Sequence, residues 1–255
     1  MRNEALIGYL LHQRPYQEKR ALYYLFSQHH GVIHGVGKKG APLFMPLQLF
    51  ASGKRDLKTF SQINIAPLNS DQTMIKQEDS SASRSQIRHH ENINGQHQYA
   101  ALYLNEILWR LLPTEDPMPI LWQHYQDSLY ELKQPLTADE LRLCLRRFES
   151  YLFSELGFSL MLKRDSLDQP IESSAVYRFL PDVGLMPIVY EDVQERMISQ
   201  SVFKGNEILL MVEQGISLET LSAWSRLHRQ LIDHLLDYQP LQSRLLWQQQ
   251  QRYQS

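Results

Sequence analysis

The chain has 255 residues, of which 43% are hydrophobic and 21% are charged, a balance typical of folded globular proteins rather than disordered chains. No apolar run approaches the roughly 20 residues that cross a bilayer, and polar residues interrupt the first apolar stretch at His12, so we expect neither a membrane span nor a signal peptide. The single cysteine, Cys144, excludes an intramolecular disulfide framework and a multi-thiolate zinc site, which favours a reduced, cytoplasmic protein.

The net charge of −2 is unevenly distributed along the chain. Residues 1–60 contain nine Lys and Arg residues but only three acidic residues, a net charge of +6, whereas the remainder carries 17 basic and 25 acidic residues, a net charge of −8. A basic first quarter on an acidic body indicates an anion-binding face, such as one for DNA or RNA, although a solvated basic face without a partner fits the charge alone.

Residues 1–68 have the pattern of a small β-barrel. Short apolar runs, separated by polar or glycine-containing turns, predict five strands: Ala5–Leu11, Ala21–Phe26, Val32–Gly37, Pro46–Ala51 and Leu57–Ile65. The first strand is predicted to stop at the polar cluster that begins at His12. Five strands in this length suit an OB-fold, an architecture that binds oligonucleotides in many proteins.

Residues 69–98 form a strongly polar segment, which predicts a linker or an inserted loop between two domains. Residues 99–255 then have the pattern of a helical domain. Apolar stripes predict helices at Tyr99–Leu112, Met118–Leu132 and 217–238. Thr137 and Glu140 form a predicted capping box at the start of another helix, which ends at Gly157. Residues 158–190 look irregular or short-stranded.

The sequence contains little that indicates catalysis. Gly31 to Lys39 resembles a phosphate loop, but its outer glycines lie six residues apart rather than five, and Lys39 stands where Ser or Thr would hold Mg²⁺. A tight turn between strands explains these glycines better. Cys144 lies beside the leucine stripe of its helix and is expected to be a small buried hydrophobe rather than a nucleophile.

The histidines do not predict a metal site. Most lie near a predicted turn or in the polar segment, namely His29, His30, His34, His89, His90 and His97. His228 falls on the apolar stripe of its helix, where a hydrogen-bonded core histidine is expected. We therefore predict no cofactor and no metal.

The basic barrel is the first positive signal. Its cations are predicted to neutralise phosphates, and the predicted DNA-binding residues are Arg14, Arg20, Lys38, Lys39, Lys54, Arg55 and Lys58. Exposed aromatic residues among them could stack bases. For Tyr23, Tyr24 and Phe26, however, we expect positions in the core.

The helix that follows Thr137 gives the second positive signal. Arg142 and Arg146 are four residues apart and share one flank of the helix, next to Arg147. Asp139 and Glu149 could simply pair with these arginines. Alternatively, the arginines border a groove for an acidic peptide with a hydrophobic end, because guanidinium groups bind carboxylates in a forked geometry.

Several short motifs occur in order along the chain. They are Arg14-Pro15-Tyr16 with Glu18, Leu25-Phe26-Ser27, His30-Gly31, Gly37-Lys38, Gly40-Ala41, Tyr103 to Leu108, Leu145 to Glu149, Leu156-Gly157-Phe158 and Leu241 to Arg244. Each is weak alone, but as a series they resemble the RecO family of bacterial recombination mediators over about residues 5–247.

The resemblance implies an α+β protein, in which an N-terminal OB-fold β-barrel precedes a mainly α-helical domain. It implies a non-enzymatic, nucleoid-associated role in DNA repair and recombination. Such a protein binds single- and double-stranded DNA, anneals complementary strands, works with RecR and promotes RecA loading on DNA coated by single-strand binding protein. By position, Arg146 matches an arginine that binds the acidic C-terminal tail of that protein, and Arg142 is a plausible neighbour.

Two departures from the family pattern affect these expectations. Many relatives hold zinc with four cysteines, but residues 158–190 contain none, which predicts a cysteine-free remnant of that region. The segment Ala41 to Pro46 is short and apolar where relatives have a longer basic stretch, which questions the strength of DNA binding. A protein-interaction adaptor without direct DNA contact is therefore the main alternative, and a helical hydrolase is the enzyme alternative.

Overall fold

A computed structural model describes residues 3–67, 92–158, 160–188 and 202–254. Of the predicted polar segment 69–98, residues 69–91, with His89 and His90, lie outside this range. The predicted fold class is confirmed: a closed five-stranded barrel precedes a helical region. The chain packs into two compact units, one formed by residues 1–135 with 241–255 and the other by residues 136–240.

Five strands close the barrel in the order β1-β2-β3-β5-β4. Their bounds are β1 Glu4–Gln17, β2 Arg20–Ser27, β3 Gly31–Lys38, β4 Pro46–Ser52 and β5 Leu57–Ile65. All pairings are antiparallel except β3 with β5, which is parallel. The predicted end of β1 at His12 is wrong: the strand continues to Gln17 because bulges at Leu10/His12 and Pro15/Gln17 keep it paired with β2.

The barrel interior explains the glycines of β3. Alternate residues of the strands point inward and bury apolar side chains, among them Tyr23, Leu25, Ile33 and Phe60. A Cβ atom at Gly35 would lie 2.5 Å from the Phe60 ring. The expectation that the glycines of this segment serve a turn is therefore wrong for Gly35, which lies within β3 and makes room for a core ring.

Six helices follow the barrel strands in the described ranges. Their bounds are α1 Gln96–Leu111, α2 Pro119–Glu131, α3 Ala138–Glu155, α4 Gly205–Gln214, α5 Leu221–Leu235 and α6 Gln242–Gln254. The predicted capping box is present: the Glu140 amide donates to Thr137 Oγ1 at 3.3 Å, and the Thr137 amide donates to a Glu140 carboxylate oxygen at 2.8 Å.

Helices α1 and α2 pack against one side of the barrel within the first unit. Trp122 of α2 lies over Tyr9 and Phe26, with ring centroids 5.2 and 5.4 Å apart. The Asn105 side chain on α1 donates to the carbonyls of Leu10 and Leu11 and accepts a hydrogen bond from Tyr125. These buried bonds attach the two helices to β1.

Glu106 joins two motifs that lie far apart in the chain. Its buried carboxylate accepts hydrogen bonds from the Gln242 amide, the Ser243 amide and the Ser243 hydroxyl at 2.7–2.8 Å. The residue before α6 is Leu241, whose side chain cannot accept a hydrogen bond, so Glu106 caps this helix instead.

Glu106→Gln is expected to lower the free energy of unfolding by about 1–3 kcal/mol, because an amide replaces one acceptor oxygen and removes the negative charge at the start of α6. Urea unfolding followed by circular dichroism measures this change. Glu18→Gln, at an exposed position of the same unit, is the matched control. Equal stability of the two variants would contradict the capping role.

The second unit contains α3, α4, α5 and a small antiparallel sheet. The sheet has the order β7-β6-β8, with β6 Val176–Leu180, β7 Gly184–Pro187 and β8 Val202–Lys204. Two of its strands fall in 158–190, which agrees with the expectation of short strands there. The predicted division into domains at residues 68 and 98 stays a prediction; the compact units group α1, α2 and α6 with the barrel.

Candidate functional site

The predicted DNA-binding cations fall into two groups at opposite ends of the barrel. Arg20 is paired across the ladder with Lys38, and Lys39 follows directly. Lys54 and Arg55 lie in the β4–β5 turn, which precedes the point where Leu57 pairs with His34. In this strand register, the two groups of cations lie about six β3 residues apart, which is roughly 20 Å along the strand.

Six of the seven cations have no acidic partner among the residues that the structure describes. Within the described ranges, no carboxylate forms an ion pair with Arg14, Arg20, Lys38, Lys39, Lys54 or Arg55. Lys39 Nζ donates to the Glu18 carbonyl at 2.8 Å and Arg20 donates to the Val36 carbonyl at 3.3 Å, but carbonyls do not neutralise the charge. Arg20 is half-buried and the other five side chains are exposed. These six cations are therefore available to bind the phosphates of a nucleic acid.

Lys58 is placed differently from the other six. Only 6% of its side chain is exposed, and its ammonium lies 2.6 Å from the Glu115 carboxylate and donates to the Arg55 carbonyl at 2.8 Å. The hydrogen bond from Lys58, with its positive charge, lowers the pKa of Glu115. The cation is therefore already neutralised inside the protein.

Lys58→Ala is expected to lower the free energy of unfolding by about 1–3 kcal/mol, because it removes a charged hydrogen bond and a buried aliphatic stem. Thermal unfolding of this variant and of Lys54→Ala gives a matched comparison, since Lys54 is exposed. The salt dependence of DNA binding by Lys58→Ala should match that of the unmodified protein. A weaker salt dependence in this variant would show that Lys58 contacts phosphate.

Tyrosine, histidine and tryptophan rings also lie on the outer face of the barrel, at positions that were not predicted from the sequence. Tyr23 and Phe26 are buried as expected, but Tyr24 is only half-buried, so its predicted core position is wrong. Ladder register sets Tyr24 between His12 of β1 and His34 of β3. Trp109 of α1 stacks on His12, with ring centroids 4.7 Å apart. Alternation within one strand could have indicated that Tyr24 points outward, whereas no local signal indicated Trp109.

The two arginines of α3 have different surroundings. Arg142, with 48% of its side chain exposed, pairs with Asp139 at 3.1 Å. Arg146, with 12% of its side chain exposed, pairs with the fully buried Glu149 at 2.6 Å. Both pairings that the sequence allowed are therefore present, one at the surface and one inside the unit.

Glu149 links Arg146 to a buried histidine. His228 is fully buried, and its Nδ1 donates to the second Glu149 carboxylate oxygen at 2.9 Å, which confirms the expected hydrogen-bonded core histidine. Burial lowers the pKa of His228, although the carboxylate opposes this shift. The Glu149 carboxylate, which is also held by His228, therefore fixes the orientation of the Arg146 guanidinium.

The described ranges contain no group of three or more His, Cys, Asp or Glu side chains placed to hold a metal ion. His30 pairs with Glu4 at 3.0 Å, and His97 donates to the Leu132 carbonyl at 2.9 Å. Cys144 is buried, as predicted for a small core hydrophobe. Among the helices in these ranges, none is both long and apolar enough to cross a membrane.

Comparison with known proteins gives consistent matches. The family model described as "Recombination protein O C terminal" matches residues 94–244. Proteins called "DNA repair protein RecO" from Pseudomonas aeruginosa strain UCBPP-PA14 and Stutzerimonas stutzeri strain A1501 are each 34% identical, over 94% of this chain and 92% of theirs. A protein of the same name from Pseudomonas putida strain GB-1 is 31% identical over 94% of this chain and 95% of its own.

Proposed function

Because the chain belongs to the RecO family of DNA repair proteins, we propose that it acts as a recombination mediator without a covalent catalytic step. It serves in DNA repair. In the proposed role it binds single- and double-stranded DNA, anneals complementary strands and promotes RecA loading onto DNA coated by single-strand binding protein. RecR and the C-terminal tail of single-strand binding protein are its proposed partners.

The observation that carries the proposal is the set of unneutralised cations on the barrel. Lys38 and Lys39 at one end, and Lys54 and Arg55 at the other, are exposed and lack a carboxylate partner in the described ranges. Each phosphate that a cation neutralises releases condensed counterions, which supplies binding free energy without sequence preference. An annealing protein needs this kind of binding, because it must accept any sequence.

Annealing then follows from electrostatics. Two complementary strands repel each other through their phosphates, and cations at two separated ends of one barrel reduce this repulsion while leaving the bases free. Base pairing supplies the free energy of the product, so the protein needs neither a nucleophile nor a metal ion.

Arg142 and Arg146 are the proposed contacts for the tail of single-strand binding protein. The exposed Arg142 pairs with the exposed Asp139, and a surface pair of this kind contributes little stability, so an incoming carboxylate can replace it. Arg146 is oriented by the buried Glu149. Docking on the tail raises the local concentration of the barrel on coated DNA.

Arg142→Glu is expected to weaken binding of an acidic, hydrophobic-ended tail peptide about tenfold, because it replaces a charge-assisted hydrogen bond with repulsion. Fluorescence anisotropy with the labelled peptide measures the change. Arg142 is preferred to Arg146 for charge reversal, since an acid at 146 would adjoin buried Glu149. Arg164→Glu, which alters an exposed arginine elsewhere in the unit, is the control. Equal loss in both variants would reject the proposed tail site.

The proposal as a whole is tested by anisotropy across a salt series, with labelled single-stranded DNA and, separately, the labelled tail peptide. Salt-dependent binding to both supports the mediator. Binding to the peptide alone would favour a protein-interaction adaptor, and binding to neither would contradict both functions.

A further inference from the structure

A row of flat rings crosses three strands on the outer face of the barrel. His12 of β1, Tyr24 of β2 and His34 of β3 are direct partners in the ladder. The ring centroids lie 5.5 Å apart between His12 and Tyr24 and 4.4 Å apart between Tyr24 and His34. All three side chains are half-buried, as is Trp109, which stacks on His12 at an interplanar angle of 15°. We call these four rings the aromatic row.

The position of α2 explains why the aromatic row is partly exposed. The next outward-facing residue of β2 after Tyr24 is Phe26, which is fully buried because Trp122 and Tyr125 of α2 pack on it. Two residues earlier in the strand, at Tyr24, the ring contacts come from Trp109 of α1. Part of each ring in the row therefore remains open to solvent.

Cations adjoin the aromatic row on the same face. The Arg14 guanidinium lies 5.7 Å from the ring centroids of both Tyr24 and Trp109, within the range of cation–π attraction. Arg14 is exposed and forms no ion pair within the described ranges. Strand alternation places Arg20 and Lys38 on this outer face as well, four residues along their strands from Tyr24 and His34.

We propose that the aromatic row and Arg14 form a base-stacking subsite for single-stranded nucleic acid, in which a base stacks on the exposed part of the Trp109 ring and Arg14 holds the adjacent phosphate. This inference rests on the proposed DNA-binding function and assigns it a location. A double helix does not fit the subsite, since its bases already stack on each other and only their edges are accessible.

The subsite also connects with the cations at the end of the barrel that carries Lys38 and Lys39. From His34 to Lys38 is about 13 Å of extended strand, a distance that a few nucleotides span. A single strand can therefore place a base on the aromatic row and its following phosphates beside Arg14, Lys38 and Lys39. The cations at Lys54 and Arg55 remain available to a second strand.

The test compares two labelled oligonucleotides of equal length, one of thymidine and one with abasic sugars along the same phosphate backbone. Trp109→Ala should weaken binding of the thymidine oligonucleotide about tenfold, within the effect of losing one base–aromatic stack, and leave abasic binding unchanged. Trp109→Phe, which retains a ring, should recover part of the loss. Trp247→Ala is the matched control, because Trp247 is another half-buried tryptophan of this unit and packs on Tyr99.

A second measurement does not depend on a truncated side chain. In a Trp247→Phe background, addition of the thymidine oligonucleotide should quench tryptophan emission and the abasic oligonucleotide should not. The subsite would be overturned, with DNA binding intact, by two results together. Trp109→Ala would bind each oligonucleotide as tightly as the unmodified protein does, and the thymidine oligonucleotide would not quench tryptophan emission. Failure of the unmodified protein to bind either oligonucleotide would reject the proposed function together with the subsite.

Discussion

Glu149→Ala is expected to destabilise the unit formed by residues 136–240 by about 3–5 kcal/mol, the largest stability effect that we predict. The Glu149 carboxylate is fully buried and accepts hydrogen bonds from Arg146 at 2.6 Å and from His228 at 2.9 Å. Its removal leaves a mostly buried guanidinium without its carboxylate and an imidazole N–H without its acceptor. A buried charge that loses its partner retains its desolvation penalty.

Urea unfolding followed by tryptophan fluorescence, to which Trp224 beside His228 contributes, measures this loss. Asp139→Ala is the matched control, because it also removes a carboxylate from α3. The partner of this carboxylate, Arg142, is half-exposed. We expect that control to change stability by about 0.2–1 kcal/mol. Similar losses in the two variants would contradict the structural role of the Arg146–Glu149–His228 group.

Replacing Lys38, Lys39, Lys54 and Arg55 together with Ala is expected to cause the largest loss of DNA affinity. If each cation contacts one phosphate of a single strand, the slope of log K against log salt should become less steep by about 0.7 per contact. The measurement is anisotropy with labelled single-stranded DNA at several salt concentrations. The fold should survive, because all four side chains are exposed.

Two double variants divide this effect between the ends of the barrel. Lys38→Ala with Lys39→Ala removes the cations beside Arg14 and Arg20, whereas Lys54→Ala with Arg55→Ala removes those at the β4–β5 turn. A larger change in the first double variant would place a single strand along the path from the aromatic row to Lys38 and Lys39. An unchanged slope in the quadruple variant would move the DNA contacts off the barrel.

Local sequence was sufficient to predict most of the strands and helices. Alternating or continuous apolar runs predicted all five barrel strands, and Thr137 with Glu140 predicted the start of α3, because side-chain alternation and helix capping depend on residues close together in the chain. Local sequence was also sufficient to predict that His228 is buried, since this residue falls on the apolar stripe of α5. The end of β1 was missed because bulges that accommodate Pro15 depend on the partner strand.

The sequence by itself thus determined the barrel, most of the helices and the basic character of the first quarter of the chain. Only the tertiary structure decided which residues meet. Strand register divided one predicted set of cations between two ends of the barrel and paired Lys58 with Glu115, while Lys54 stayed exposed. Packing brought Glu106 to Ser243 across 137 residues and Trp109 to His12. These contacts depend on how distant segments pack, which local periodicity does not specify.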